Sequence, residues 1–135
     1  MTLEKIISSQ ITFLYFDDLK SVRPFFEDIL ELELVTDQDA AKIYRVTGGA
    51  FLGIVDGAKG HWRAQEKSAV LITLVVDDVR GWFDYLKEKN VKMLTDIQQP
   101  EIAPVECFFF EGPGGYHFEV QRFLEPETAA KYHPD

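Results

Sequence analysis

The sequence lacks most of the features that mark disulfide-bonded, membrane-spanning and nucleic-acid-binding proteins. Cys107 is the only cysteine in 135 residues, which excludes a disulfide within the chain and a thiolate metal site. No apolar run approaches the roughly 18 residues that a membrane helix needs, and the first residues lack a signal-peptide pattern, so we expect a cytoplasmic protein that does not bind membranes. Acidic residues outnumber basic ones by 23 to 14, and the formal charge of −9 would repel the phosphates of a nucleic acid.

Apolar and aromatic side chains, in contrast, are abundant. Hydrophobic residues make up 46% of the chain and eleven residues are Phe, which indicates a well-filled core and argues against disorder. A chain of this length fits one domain. Cys107 lies in the run ECFFF at residues 106–110, where a lone thiol is more often a small core residue than a nucleophile.

One pattern occurs twice in the chain. The run ITFLYFDDL at 11–19 opens a segment that ends in LVTD at 34–37, and LITLVVDDV at 71–79 opens a segment that ends in MLTD at 93–96. Each copy passes from a strand-like run through an Asp-Asp pair and an amphipathic stretch to a second short run. This repeat predicts a duplicated supersecondary unit, and we expect the two copies to enclose a face between them.

Each copy predicts one amphipathic helix. Apolar residues recur at helical spacing over residues 22–30 in the first copy and 79–86 in the second. Asp78 is expected to cap the second helix. The Asp pairs are interpreted as structural, because both copies contain them. Pro24 should make the first helix start near Ser21 or be irregular there.

The remaining apolar runs predict antiparallel strands. A hairpin is expected over residues 41–55 around the sequence TGG, and another over 105–123 around GPGG. Strands and helices in this order predict an α+β domain with helices on one side of curved sheets. We divide the single domain into a first module at about 8–57, a linker at 58–68, a second module at 69–124 and a tail at 125–135.

These patterns resemble the vicinal oxygen chelate superfamily, which includes glyoxalase I, bleomycin and fosfomycin resistance proteins and extradiol dioxygenases. The resemblance runs from Ile11 to about Leu124. It is carried by YFDDL at 15–19 followed by FFEDIL at 25–30, and by EGPGGYHFEV at 111–120. The resemblance implies two β-α-β-β-β modules whose curved mixed sheets form a cleft, with the helices packed on the outside.

The resemblance also implies where a metal would bind. Enzymes of the family hold a divalent metal in the cleft through up to four ligands, which come from the first and last strands of each module. Here the two first-strand positions fall on Ile11 and Leu71, and the last-strand position of the first module lies near Gly53. Only Glu119 keeps a residue type that can bind a metal.

Two histidines lie where they could add ligands. His117 shares a face with Glu119, because residues i and i+2 of a strand point the same way, and His61 lies in the linker. These residues fall short of a metal site unless the linker closes over the cleft. We therefore predict no metal and no other cofactor.

Strand alternation predicts which side chains line the cleft. If Glu119 points inward, His117 and Gln121 lie beside it and Phe118 packs against the helices. The first strands add Phe13, Tyr15 and Thr73. A mostly apolar cleft with a few polar groups is typical of a small-molecule pocket, although both aromatic residues are equally consistent with core filling.

The linker sequence GHWRA at 60–64 has two interpretations. Trp62 and Arg63 would act as a lid that binds an aromatic or anionic ligand, or they would belong to an exposed connection.

Three functions remain open from the sequence. The first is a metal-free protein that binds a small molecule, expected as a homodimer because pairing would bury aromatic surface. The second is a lyase or dioxygenase-type enzyme that uses Glu119 as a general base or metal ligand. The third is a structural or regulatory domain whose cleft is vestigial.

Overall fold

The computed structural model describes residues 7–60, 62–65, 70–101 and 103–133. The chain divides into two compact units, Met1–Gln65 (unit 1) and Glu66–Asp135 (unit 2). Both units have the same order of strands and helices up to their last strand, as a duplicated supersecondary unit requires.

Unit 1 contains one mixed sheet with the strand order β1-β4-β3-β2. β1 runs parallel to β4, and the other neighbouring pairs are antiparallel. Its elements are β1 (Gln10–Phe16), α1 (Leu19–Pro24), a π-helical turn (Phe25–Ile29), β2 (Glu33–Asp37), β3 (Ala41–Thr47) and β4 (Ala50–Asp56).

Unit 2 repeats this topology with the strand order β5-β8-β7-β6. Its elements are β5 (Leu71–Val75), α2 (Val79–Glu88), β6 (Lys92–Met93), β7 (Val105–Glu111), a 3₁₀ turn (Pro113–Gly115), β8 (His117–Phe123) and α3 (Pro126–Ala130). Two mixed four-stranded sheets with few helices confirm the predicted α+β class. None of the helices in the described ranges has the length and apolar character that crossing a bilayer requires.

Asp residues begin both main helices. The Asp18 carboxylate accepts a hydrogen bond from the backbone N–H of Lys20 at 3.1 Å, and the Asp78 carboxylate accepts one from Gly81 at 2.9 Å. Each contact satisfies a backbone donor that has no partner inside the helix. The structural interpretation of these two residues is therefore confirmed, and the first helix starts at Leu19, two residues before the predicted start near Ser21.

Pro24 makes the first helix irregular, as predicted. It ends α1 and is followed directly by the π-helical turn, in which the N–H of Leu30 donates to the carbonyl of Phe25 at 2.9 Å. Proline has no backbone N–H and its ring crowds the preceding turn, so the regular α-helical bonding pattern cannot continue through it.

The helical segment of unit 1 packs on one face of the sheet through aromatic rings. The Phe26 ring stacks on Tyr44 of β3 at 5.5 Å between centroids and meets Phe16 of β1 edge-on at 6.3 Å. Above this stack, the Tyr44 hydroxyl donates to Glu27 at 2.7 Å and the Arg23 guanidinium donates to the same oxygen at 2.6 Å. These two donors lower the pKa of Glu27.

The core of unit 2 confirms the predicted orientation of β8. Phe118 is fully buried and stacks on Phe110 of β7 at 5.1 Å. Phe108 meets Phe83 of α2 edge-on at 5.1 Å. Phe118 therefore lies on the helix-covered face of the sheet, and Glu119 must lie on the opposite face.

Phe118→Ala should lower the free energy of unfolding by about 3 to 5 kcal/mol, because it removes a fully buried ring and leaves a cavity. Urea denaturation followed by circular dichroism measures this loss. Leu71→Ala is the matched control: Leu71 is 49% exposed, so its truncation should cost less than about 1 kcal/mol. Equal losses for the two variants would contradict this description of the core.

Candidate functional site

The side of the unit 2 sheet that α2 does not cover carries a group of polar side chains. The strand register pairs Thr73 of β5 with Glu119 of β8, and pairs Phe109 and Cys107 of β7 with Glu119 and Gln121. Paired residues of neighbouring strands point to the same side of a sheet. We call this surface the Glu119 face; it includes Leu71, Thr73, Cys107, Phe109, Glu111, His117, Glu119 and Gln121.

Thr73 and Glu119 are in direct contact. The Thr73 hydroxyl donates a hydrogen bond to the Glu119 carboxylate at 2.9 Å, across the parallel pair of β5 and β8. Both side chains are partly buried, whereas His117 at the start of β8 is exposed. The structure thus brings together Thr73, Glu119 and Gln121 as the alternation predicts, with His117 at the edge of the group.

Cys107 also belongs to this face, on the same side of β7 as Phe109. It is 1% exposed, as predicted for a core residue, but its thiol hydrogen bonds to Glu119 and to the Gln98 side chain. Burial raises the pKa of Cys107 to about 11, and the adjacent Glu119 carboxylate contributes in the same direction. The thiol is therefore protonated at neutral pH and serves as a donor to Glu119.

Two local features bring Cys107 to Glu119. The β7–β8 turn contains Gly114 and Gly115 at φ +71° and +77°, a backbone region that glycine adopts without strain, and this turn sets the hairpin register. At the edge of β7 that does not pair with β8, Gln98 and Cys107 exchange two backbone hydrogen bonds of 2.8 and 2.9 Å. The segment containing Gln98 consequently covers the thiol.

Unit 1 has a different pair of residues at the position of Thr73 and Glu119. Phe13 of β1 pairs with Gly53 of β4 in the corresponding parallel register. The Phe13 ring lies directly over Gly53, so closely that a Cβ atom at that position would collide with it. An aromatic ring thus occupies the space that a carboxylate occupies in unit 2.

The residues at the metal-ligand positions implied by the family resemblance do not fit a metal. Ile11 and Leu71 have hydrocarbon side chains, and Gly53 lies beneath the Phe13 ring. No group of three or more His, Cys, Asp or Glu side chains suited to a metal ion occurs among the described residues. His61, the further ligand candidate in the linker, lies outside the described residues.

The remaining predicted ligand-binding residues belong to unit 1. The Tyr15 ring lies against Gly60 of the loop after β4. In the same loop Trp62 is 65% exposed, and the Arg63 guanidinium donates to the carbonyls of Gly60 and Trp62 at 3.1 and 3.2 Å. Arg63 is therefore engaged with its own loop, and a common site of these residues with the Glu119 face stays a prediction.

The sequence matches one protein family. The model for the Glyoxalase/Bleomycin resistance protein/Dioxygenase superfamily matches residues 9–120, which is well over half of the chain. No curated protein shows a significant match to the sequence.

Solved structures with this fold are numerous. A glyoxalase/bleomycin resistance protein/dioxygenase from Nocardioides superposes with a TM-score of 0.77 at 17% identity, covering 93% of this chain and 88% of its own. A lactoylglutathione lyase from Agrobacterium tumefaciens gives 0.70 at 18%, covering 88% and 96%. A fosfomycin resistance protein from Listeria monocytogenes gives 0.71 at 18%, covering 90% and 98%. At such identities these likenesses establish the fold alone.

The Cys107 thiol should stay protonated until the pH approaches about 11, which can be followed through its S–H stretching band in the infrared. Folding raises the pKa of Cys107, so the protonated thiol makes its full contribution to the free energy of unfolding below about pH 8.5, the pKa of an exposed cysteine. That contribution is lost as the pH rises toward the folded-state pKa.

Two substitutions should move this titration in opposite directions. Glu119→Gln should lower the pKa of Cys107, because it removes the adjacent negative charge. Gln98→Met keeps the cover over the thiol but removes the donor to sulfur, so it should raise the pKa. A titration that Glu119→Gln leaves unchanged would contradict the contact between the thiol and the carboxylate.

Proposed function

The chain belongs to the Glyoxalase/Bleomycin resistance protein/Dioxygenase superfamily, and on that premise we propose that it binds a small organic molecule on the Glu119 face without a resident metal ion. We further propose that it acts in the cytoplasm as a homodimer. The observation that carries the proposal is the Glu119 carboxylate, which a hydroxyl and a thiol hold in place on a partly exposed sheet face.

The position of Glu119 favours a binding role over a purely structural one. A partly buried carboxylate loses hydration and lowers stability unless hydrogen bonds or a cation compensate for it. Here Thr73 and Cys107 provide neutral donors and leave carboxylate lone pairs available. A ligand with a donor group can use those lone pairs.

The surroundings of Glu119 suit an organic ligand. Phe109 pairs with Glu119 across β7 and β8 and is partly exposed, and Leu71 on β5 is 49% exposed. Binding sites for small molecules combine apolar surface with a few positioned polar groups that fix the orientation of the ligand. The Glu119 face contains both.

The absence of a resident metal is proposed from the residues present. Ile11 and Leu71 offer no donor atom, and Gly53 has no side chain and lies beneath an aromatic ring. A divalent metal held by Glu119 alone would lack most of the ligands that Zn²⁺ or Mg²⁺ requires.

An enzymatic function is the second candidate, and the hydrogen bonds to Glu119 favour it. A general base must be held within hydrogen-bonding reach of the proton that it removes. Thr73 and Cys107 restrict the carboxylate in the way that this role needs. In that case Glu119 would take a proton from a bound substrate, giving a lyase-type reaction in which no metal takes part.

Ligand binding can be tested with a thermal-shift screen of small organic compounds, using protein treated with a chelator and analysed for metals. We expect metal far below one ion per chain and compounds that raise the melting temperature, because a ligand that binds only the folded state stabilises it. Glu119→Gln should weaken this effect and change the stability of the free protein by less than about 2 kcal/mol, since it keeps the shape of the side chain. Loss of all stabilisation after chelation would contradict the metal-free proposal.

The homodimer is proposed because large apolar side chains are exposed on the first strand of unit 1. Ile11 and Phe13 of β1 are 39% and 42% exposed. Exposed apolar side chains of this size often mark an interface. Light scattering at tens of micromolar should give twice the mass of the chain, and a monomer throughout would contradict the proposal.

A further inference from the structure

Glu119 has no compensating cation in the part of unit 2 that the structure describes. Two other acidic residues lie on the β7–β8 hairpin, and each has a cationic partner: Glu106 pairs with Arg122 at 3.2 Å and Glu111 pairs with Lys92 at 3.7 Å. Among the described residues of unit 2, no lysine, arginine or histidine forms an ion pair with Glu119. Its partners Thr73 and Cys107 are neutral donors.

The groups around Glu119 suit a positive charge. Phe109 occupies the position directly opposite Glu119 on the antiparallel strand, on the same side of the sheet. The face of an aromatic ring attracts an ammonium group, and so does a carboxylate. A carboxylate and a ring placed side by side therefore favour an organic cation over a neutral or anionic molecule.

The chain as a whole adds to this preference. Its formal charge is −9, so its long-range field attracts cations and repels anions. Arg122 points to the opposite side of the sheet, where it pairs with Glu106. Lys92 is engaged with Glu111 at the edge of the hairpin. Arg122 therefore lies on the wrong side of the sheet to bind an anion beside Glu119, and the charge of Lys92 is already paired with Glu111.

We propose that the Glu119 face binds an organic cation, a protonated amine whose ammonium group pairs with Glu119 and whose apolar part lies against Phe109 and Leu71. This inference rests on the proposed ligand-binding function and specifies the chemical class of the ligand. Thr73 and Cys107 act as positioning residues: each donates one hydrogen bond to the carboxylate, which fixes the direction in which its remaining lone pairs point.

Three probes of similar size separate the ligand classes: phenethylamine, phenethyl alcohol and phenylacetate. Each is titrated into the full chain labelled with ¹⁵N, at neutral pH and low salt, and the backbone amide signals of Thr73, Phe109 and Glu119 are followed. Fragments of this size bind in about the millimolar range. We expect the amine to bind at least tenfold more tightly than the alcohol, about 1.4 kcal/mol, and the acid not to bind.

Two variants show which carboxylate binds the amine. In Glu119→Gln the amine and the alcohol should bind within about twofold of each other, because the ion pair is lost while the apolar contacts remain. Glu106→Gln removes an equal charge from the other side of the same hairpin and should keep the preference for the amine. Added salt should weaken amine binding in the native chain.

The outcomes distinguish this inference from the function on which it rests. If the alcohol or the acid shifts the same signals as strongly as the amine, the assignment to a cation is wrong while the proposal of a binding face stands. If none of the three probes shifts these signals, both proposals fail. A preference for the amine that survives in Glu119→Gln but disappears in Glu106→Gln would assign the cation to the opposite side of the sheet and overturn the inference.

Discussion

The parallel pairing of β5 with β8 sets Thr73 beside Glu119 and thereby decides which residues of unit 2 share a face. The antiparallel pairing of β7 with β8 then adds Phe109 and Cys107 to the same side. Since side chains alternate along a strand, a slip of one residue in either pair would exchange the helix-covered side and the open side of that strand. The chemistry assigned to Glu119 therefore depends on the backbone register of both strand pairs.

The two units share a topology but differ in chemistry at equivalent positions. Where unit 2 has a hydroxyl bonded to a carboxylate, unit 1 has the Phe13 ring over Gly53. The apolar pair needs no counter-charge and tolerates no larger residue at position 53, whereas the polar pair loses hydration when it is buried and needs donors nearby. The two units thus share a backbone pattern, and a polar pair occupies this position only in unit 2.

Much of this arrangement follows from local patterns in the sequence. The period of two along β8 places Phe118 in the core and Glu119 on the other face, and the repeat predicts the two sheets. The contact of Cys107 with Glu119 cannot be predicted from local sequence patterns. It depends on the register of the β7–β8 hairpin and on Gln98, which bridges to Cys107 from outside the named strands. A lone cysteine among phenylalanines carries no local signal of such a contact. After the two-residue strand Lys92–Met93, Leu94 and Thr95 both donate to the Phe109 carbonyl and leave the regular ladder.

The π-helical turn after Pro24 contains one residue more than an α-helical turn with the same rise along the helix axis. One residue of an α-helix corresponds to about 100° of rotation, so the turn sets the angle at which the chain leaves the helix and enters β2. Loss of one residue there would shift β2 by one position, turning its inward side chains outward. The irregular register between Leu34 and Thr36, where β2 pairs with β3, is the place where such a shift can be absorbed. In this family member, changes in chain length within the helix and within the neighbouring strand are therefore expected to occur together.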